Sequence, residues 1–209
     1  MSREPDRHLA RFIREMKTKH RCHTVILYGS RARGYATAAS DYDLIGFRKA
    51  GAVVRDARKT GGVWLDAFVY PDAKLKLADL LRVRGGKVLF QKAGFGDRFL
   101  ARLDKLYQRG PKRLPPDDIA VKKAWPGKML ARIEQGDAEG NYRRAMLLYV
   151  LLEDYFALRG LWYEGPKAAL ARLRRNEPKT NALFETALKP DAPLSAIAKL
   201  ATAVTRTKG

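Results

Sequence analysis

Y-G-S-R-A-R-G-Y-A-T-A-A-S-D-Y-D-L-I-G-F, residues Tyr28 to Phe47, is the most informative stretch of this chain, and V-W-L-D-A-F-V-Y, Val63 to Tyr70, completes it. An apolar run from Thr24 to Tyr28 ends in Gly29-Ser30. Ten residues separate Ser30 from Asp41, and Asp43 follows at once before a second apolar run. Asp66 then stands alone between Leu65 and Ala67 in a third.

Side chains two apart on a β-strand point to the same face, so Asp41 and Asp43 at a strand start put two carboxylates side by side. Like charges that close both stay ionised only with a cation between them. A carboxylate in mid-strand is costly to bury alone, so Asp66 is expected beside the strand carrying the other two. Three hard oxygen donors converging on one point suit Mg²⁺ or Mn²⁺. Gly29 allows close backbone approach, and Ser30 opens a helix whose free N–H groups can hold phosphate. Metal and phosphate together point to phosphoryl or nucleotidyl transfer. The bland alternative is a turn with solvated aspartates.

Gly-Ser, then Asp-x-Asp, then a third Asp in an apolar strand resembles the DNA polymerase beta superfamily of nucleotidyltransferases. The wording G-S-R-A-R-G…S-D-Y-D-L is similar to that of its minimal and aminoglycoside adenylyltransferase-like members. The resemblance covers residues 5 to 90 well and the remainder loosely. It implies an α+β fold: an N-terminal nucleotidyltransferase domain with a mixed sheet, then a C-terminal helical bundle. It also implies Asp41, Asp43 and Asp66 as metal ligands, Gly29 and Ser30 as nucleotide contacts, and NTP, with ATP favoured, as co-substrate.

The single Cys22 excludes an internal disulfide, the first nineteen residues lack the apolar core of a signal peptide, and no apolar run is long enough for a membrane span. A cytoplasmic protein is expected. The formal charge of +20 is spread along the chain. That spread admits a nucleic-acid partner or simple attraction of nucleotide.

Along the chain, Pro5 to Lys19 reads as a helix with Leu9, Phe12, Ile13 and Met16 in one apolar stripe. His8, His20 and His23 lack metal-ligand spacing and read as surface residues. A short strand is expected at Val53-Val54. A helix is expected after Pro71, capped by Asp72 and carrying Leu75, Leu77, Leu80 and Leu81. A strand at Val88 to Phe90 and a helix from Asp97 to Arg109 follow. The domains are thus 1–110, a Pro-rich linker over 111–116, and 117–209. The last is helical throughout, with a kink or break expected near Pro126. Met146 to Leu152 is apolar all round, the mark of a buried central helix.

Glu153-Asp154 ends that run. One account is structural: buried ion pairs to Arg143, Arg144 or Arg159. The other is catalytic. Adenylyltransferases of similar layout take a general base from their helical domain, and Glu153, with Tyr149 and Phe156 at helical spacing, is the favoured residue. Lys167, at a helix start, is a candidate for the triphosphate against a solvated first-turn lysine. The helical half also resembles, in layout only, the helical partner proteins of minimal nucleotidyltransferases in toxin–antitoxin systems. Their RNase signature, an Arg followed four to six residues on by His, would need a His here. Every histidine precedes residue 24, so RNase activity in this half is not expected. The function implied is transfer of a nucleoside monophosphate to an acceptor hydroxyl, small molecule, protein or RNA 3′ end, with release of pyrophosphate. The alternative is a nucleic-acid-binding or antitoxin-like partner protein on the same scaffold.

Overall fold

The computed structural model describes residues 6–207 of the 209-residue chain. The Pro5 end of the first expected helix lies outside them. The chain divides into two compact units, Met1–Arg109 and Gly110–Gly209.

The first unit is built on five strands: β1 (Thr24–Tyr28), β2 (Tyr42–Arg48), β3 (Val54–Thr60), β4 (Val63–Pro71) and β5 (Lys87–Phe90), in the order β3-β4-β2-β1-β5. The β2–β4 pair is parallel and the other pairs antiparallel, so the sheet is mixed. β1 and β2 are nearly all apolar because both sheet faces are covered. Helix α1 (Arg7–Thr18) covers one face. Its N-cap Asp6 accepts from the Leu9 N–H, and its stripe brings Phe12 edge-on to Tyr42 and Met16 against Gly46. A Cβ on Gly46 would stand 2.4 Å from the Met16 methyl, so the bare glycine lets helix and sheet close up. On the other face Phe47 meets Phe95 and Phe99 of α3 (Phe95–Arg109).

Three expectations are corrected here. The short strand at Val53-Val54 is a seven-residue edge strand, β3. Its V-R-D-A-R-K-T sequence hides it, since charged residues on an edge protect against further pairing. The helix after Pro71 is two 3₁₀ segments, Asp72–Lys74 and Leu77–Val83. Asp72 does not cap it; its carboxylate receives the His23 ring at 3.0 Å. The histidines are not simply surface residues. His20 is buried against Asp56 at 3.3 Å, and His23 is half-buried between Asp72 and Thr24.

The second unit holds α4 (Pro116–Ile133), α5 (Ala138–Ala157), α6 (Pro166–Asn176), α7 (Pro178–Ala187) and α8 (Leu194–Thr205). Proline opens α4, α6 and α7, where its missing N–H has no intrahelical partner to lose. Pro116 therefore belongs to α4, not to the connection before it. Pro126 sits buried inside α4 without ending it. Leu147, Leu151, Tyr155 and Phe156 of α5 join Met129, Phe184, Ile197 and Leu200 in the core. The Met146–Leu152 segment is not buried all round: Tyr149 is 62% exposed. No described helix is long and apolar enough to cross a membrane.

Candidate functional site

β1 delivers Tyr28 and then Gly29, whose φ of +69° turns the chain into the short helix α2 (Gly29–Arg33). That conformation is open to glycine at little cost. The glycine does more than turn. A Cβ at position 29 would lie 2.0 Å from Asp43 Oδ2 and 2.8 Å from its Cγ, so the Asp43 carboxylate rests directly on the Gly29 backbone.

Asp43 is the β2 partner of both Tyr28 on β1 and Asp66 on β4. Partners in adjacent strands face the same way, and neighbouring strands lie about 4.8 Å apart. Asp43 and Asp66 therefore stand side by side on the face covered by α3, both half-buried. Leu65 and Ala67, flanking Asp66, are buried on the opposite face.

Asp41 is placed differently. It lies one residue before β2, exposed, and the chain there is held by Arg31 rather than by sheet pairing. The Arg31 guanidinium stacks 3.8 Å from the Tyr42 ring and donates to the carbonyls of Ser40 at 2.8 Å and Asp41 at 3.2 Å. Among the described residues, no group of three or more His, Cys, Asp or Glu side chains is arranged to hold an ion. The expected convergence of three carboxylates is thus a convergence of two, because strand register acts on Asp43 and Asp66 but not on a residue ahead of the strand.

Sequence reasoning missed the cations of this site. Arg55 of β3 holds Asp66 with a two-pronged fork, Nε to Oδ1 at 2.9 Å and Nη2 to Oδ2 at 3.1 Å. The signal was present. Gly61-Gly62 close a two-residue hairpin pairing Thr60 with Val63, and counting back puts Ala57 opposite Asp66 and Arg55 opposite Phe68. Arg82, from the second 3₁₀ segment, donates to the Asp79 carbonyl; burial opposes its charge, but Tyr28 and Tyr70, within electrostatic reach, raise it above its ordinary value. The Tyr28 phenol is pushed above its ordinary value by burial first, with the charges of Asp43 and Asp66 adding to it. Tyr28, Asp43, Asp66 and Arg82 therefore share one electrostatic neighbourhood.

In the second unit, the Glu153-Asp154 pair separates by burial. Asp154 is 2% exposed and takes Lys122 Nζ at 2.5 Å. The arginines weighed as partners are engaged elsewhere: Arg143 with Glu139, Arg144 with the Ala192 carbonyl, and Arg159 with carbonyls at the end of α8. Glu153 is half-buried, and its nearness raises the Tyr149 phenol above its ordinary value. The Tyr163 phenol is raised too, by burial first and then by the Glu153 charge. Phe156 does not share the exposed face of Tyr149: it is 1% exposed and packs in the core. Lys167 is exposed in the first turn of α6.

No protein-family model and no curated protein matches the chain. Among solved structures it is similar to a nucleotidyltransferase-like protein from Exiguobacterium sibiricum, at 14% identity and a TM-score of 0.42. The match covers 94% of this chain and 73% of the other.

Proposed function

We propose that the chain is a metal-dependent nucleotidyltransferase that moves a nucleoside monophosphate from NTP, with ATP favoured, to an acceptor hydroxyl. The observation that carries this is the in-register placement of Asp43 and Asp66 on parallel strands, with the Asp43 carboxylate seated on Gly29. The donor set fits Mg²⁺ or Mn²⁺. Such ions take one or two protein carboxylates and complete their shell with water and substrate phosphate. A pair of carboxylates therefore meets the need without a protein cage. Asp41, exposed just ahead of β2, would be at most a further donor through its loop. When bound, the ion would polarise the α-phosphate and neutralise charge developing on the leaving pyrophosphate.

The protein's own part is positioning. Asp43 and Asp66 would hold the metal and, with it, the triphosphate. Gly29 leaves the space that Asp43 needs, and Ser30, in the first turn of α2, would contact the triphosphate. Glu153 would take the proton of the acceptor hydroxyl. In support, among the described residues the ion pair at this point is made by Asp154 and not by Glu153, and the Glu153 charge is felt by two tyrosines. Lys167 would supply a positive charge to the triphosphate.

The test uses radiolabelled NTPs with Mg²⁺ or Mn²⁺ and follows pyrophosphate release and label transfer to small-molecule, protein and RNA acceptors. Asp43→Asn should abolish transfer and metal binding while leaving the melting profile intact. Transfer at the parent rate in Asp43→Asn would refute the assignment. Glu153→Gln should lower turnover by about 10²–10⁴-fold with nucleotide affinity kept, the usual worth of a general base.

A further inference from the structure

Arg55 is the residue of the first unit whose placement the proposed reaction leaves unexplained. Its side chain is 61% exposed, whereas that of Asp66 is 25% exposed. Both oxygens of Asp66 are taken by its fork. The fork uses one of the two lone pairs on each Asp66 oxygen, and the guanidinium charge beside them repels an incoming cation until a prong is released. Asp66 is fixed mid-strand between buried neighbours and has nowhere to go. Arg55, on the exposed side of an edge strand, has solvent to move into.

The surroundings favour a partial release over a full departure. The Arg55 guanidinium lies 5.1 Å from the centre of the Phe68 ring, and the Arg82 guanidinium lies 4.9 Å from the same centre. Phe68 is two residues beyond Asp66 and opposite Arg55 in the sheet, so its ring is a rail beside the carboxylate. A guanidinium that leaves Asp66 keeps an attractive contact there and stays close to the site. The same planar fork that fits a carboxylate fits phosphate oxygens.

We infer that Arg55 is a movable clamp. In the free protein it opposes cations at Asp66, and when a metal–triphosphate binds it passes its fork from Asp66 to phosphate oxygens of the nucleotide. This inference rests on Asp43 and Asp66 being the metal-holding pair. It makes metal and nucleotide binding mutually supportive, because the metal frees the arginine that the nucleotide needs, and a free cation alone binds against the clamp.

The experiment measures Mn²⁺ binding by electron paramagnetic resonance without nucleotide, and ATP binding by calorimetry at saturating Mn²⁺. It uses the full chain, Arg55→Gln, Arg55→Lys and Asp43→Asn. Arg55→Gln should bind Mn²⁺ alone about two- to fivefold more tightly, the worth of an exposed charge pair. It should bind ATP about 10- to 100-fold more weakly, the worth of hydrogen bonds to a charged group. Arg55→Lys keeps the charge but not the fork. It should also tighten Mn²⁺ alone and fall between parent and Arg55→Gln for ATP, and it carries the test if Arg55→Gln does not fold. If Mn²⁺ binding is lost in Asp43→Asn but unchanged or weaker in the Arg55 variants, the clamp is overturned and the metal pair stands. Equal Mn²⁺ binding by parent and Asp43→Asn would overturn the metal pair and the clamp with it.

Discussion

Substituting Gly29 by Ala tests the contact on which the site is seated. Two costs fall on the variant, and they can be separated. The first is backbone strain. At φ +69° an L-residue pays about 1–2 kcal/mol in the left-handed region. In a unit of this size that lowers the melting temperature by about 4–16 °C. The second is local. The new Cβ would lie 2.0 Å from Asp43 Oδ2, while ordinary contact begins at 3.4 Å, so the carboxylate must retreat by about 1.4 Å. That exceeds the ~0.5 Å within which a functional geometry must be held. A displaced ligand or its support typically costs about 10–100-fold in metal affinity. Gly34→Ala is the control. Gly34 has φ +82° with no atom within 4 Å of an added Cβ, so it carries comparable strain and no clash. Differential scanning calorimetry should therefore show similar destabilisation for both variants. Mn²⁺ titration should show the affinity loss for Gly29→Ala alone. Equal Mn²⁺ affinity in the two would refute the role assigned to the Gly29–Asp43 contact.

Three further outcomes are expected elsewhere. Lys122→Met strands the buried Asp154 carboxylate and should destabilise the protein by about 3–5 kcal/mol in urea melts, whereas the double change to Lys122→Met with Asp154→Leu should recover most of it. Asp56 is held below its ordinary value of 3.8: burial opposes this, but the His20 hydrogen bond, Arg58 and Lys19 outweigh it. Its contribution is therefore present above pH 3.8 and lost as pH falls through the lowered value, so the stability gap between parent and Asp56→Asn should close on acidification. Burial pushes the Cys22 thiol up to about 11 from 9.0, so at pH 8 native protein should react with a disulfide reagent about a hundredfold more slowly than unfolded chain.

How much of this was legible depends on the range of the interaction. β1, β2 and β4 announce themselves as apolar runs, and Asp43 and Asp66 as charges that such runs do not tolerate alone. α8 is bounded in sequence by Pro193 and by the end of its apolar spacing. What escaped was pairing at a distance. His20 with Asp56, His23 with Asp72 and Lys122 with Asp154 join residues more than thirty positions apart, and no local pattern marks them. β3 escaped because an edge strand need not be apolar, and with it went Arg55. The segment after Pro71 has helix-like leucines, yet its N–H groups are met by 3₁₀ turns while its leucines still reach the core. Asp41 shows the opposite failure: strand periodicity was applied one residue beyond the strand.

The parallel register of β2 and β4 also governs how this chain can vary in length. The exposed segment from Tyr35 to Ala39 precedes a strand whose position is set by its neighbours, so residues can be gained or lost there while Asp43 stays opposite Asp66. A single deletion inside β4 ahead of Asp66 has no such freedom. With the start of the strand held in register, it would turn every later side chain over, sending Asp66 into the apolar layer under α1 and bringing Ala67 out beside Asp43. Related chains should therefore differ in length before β2 and not within β4.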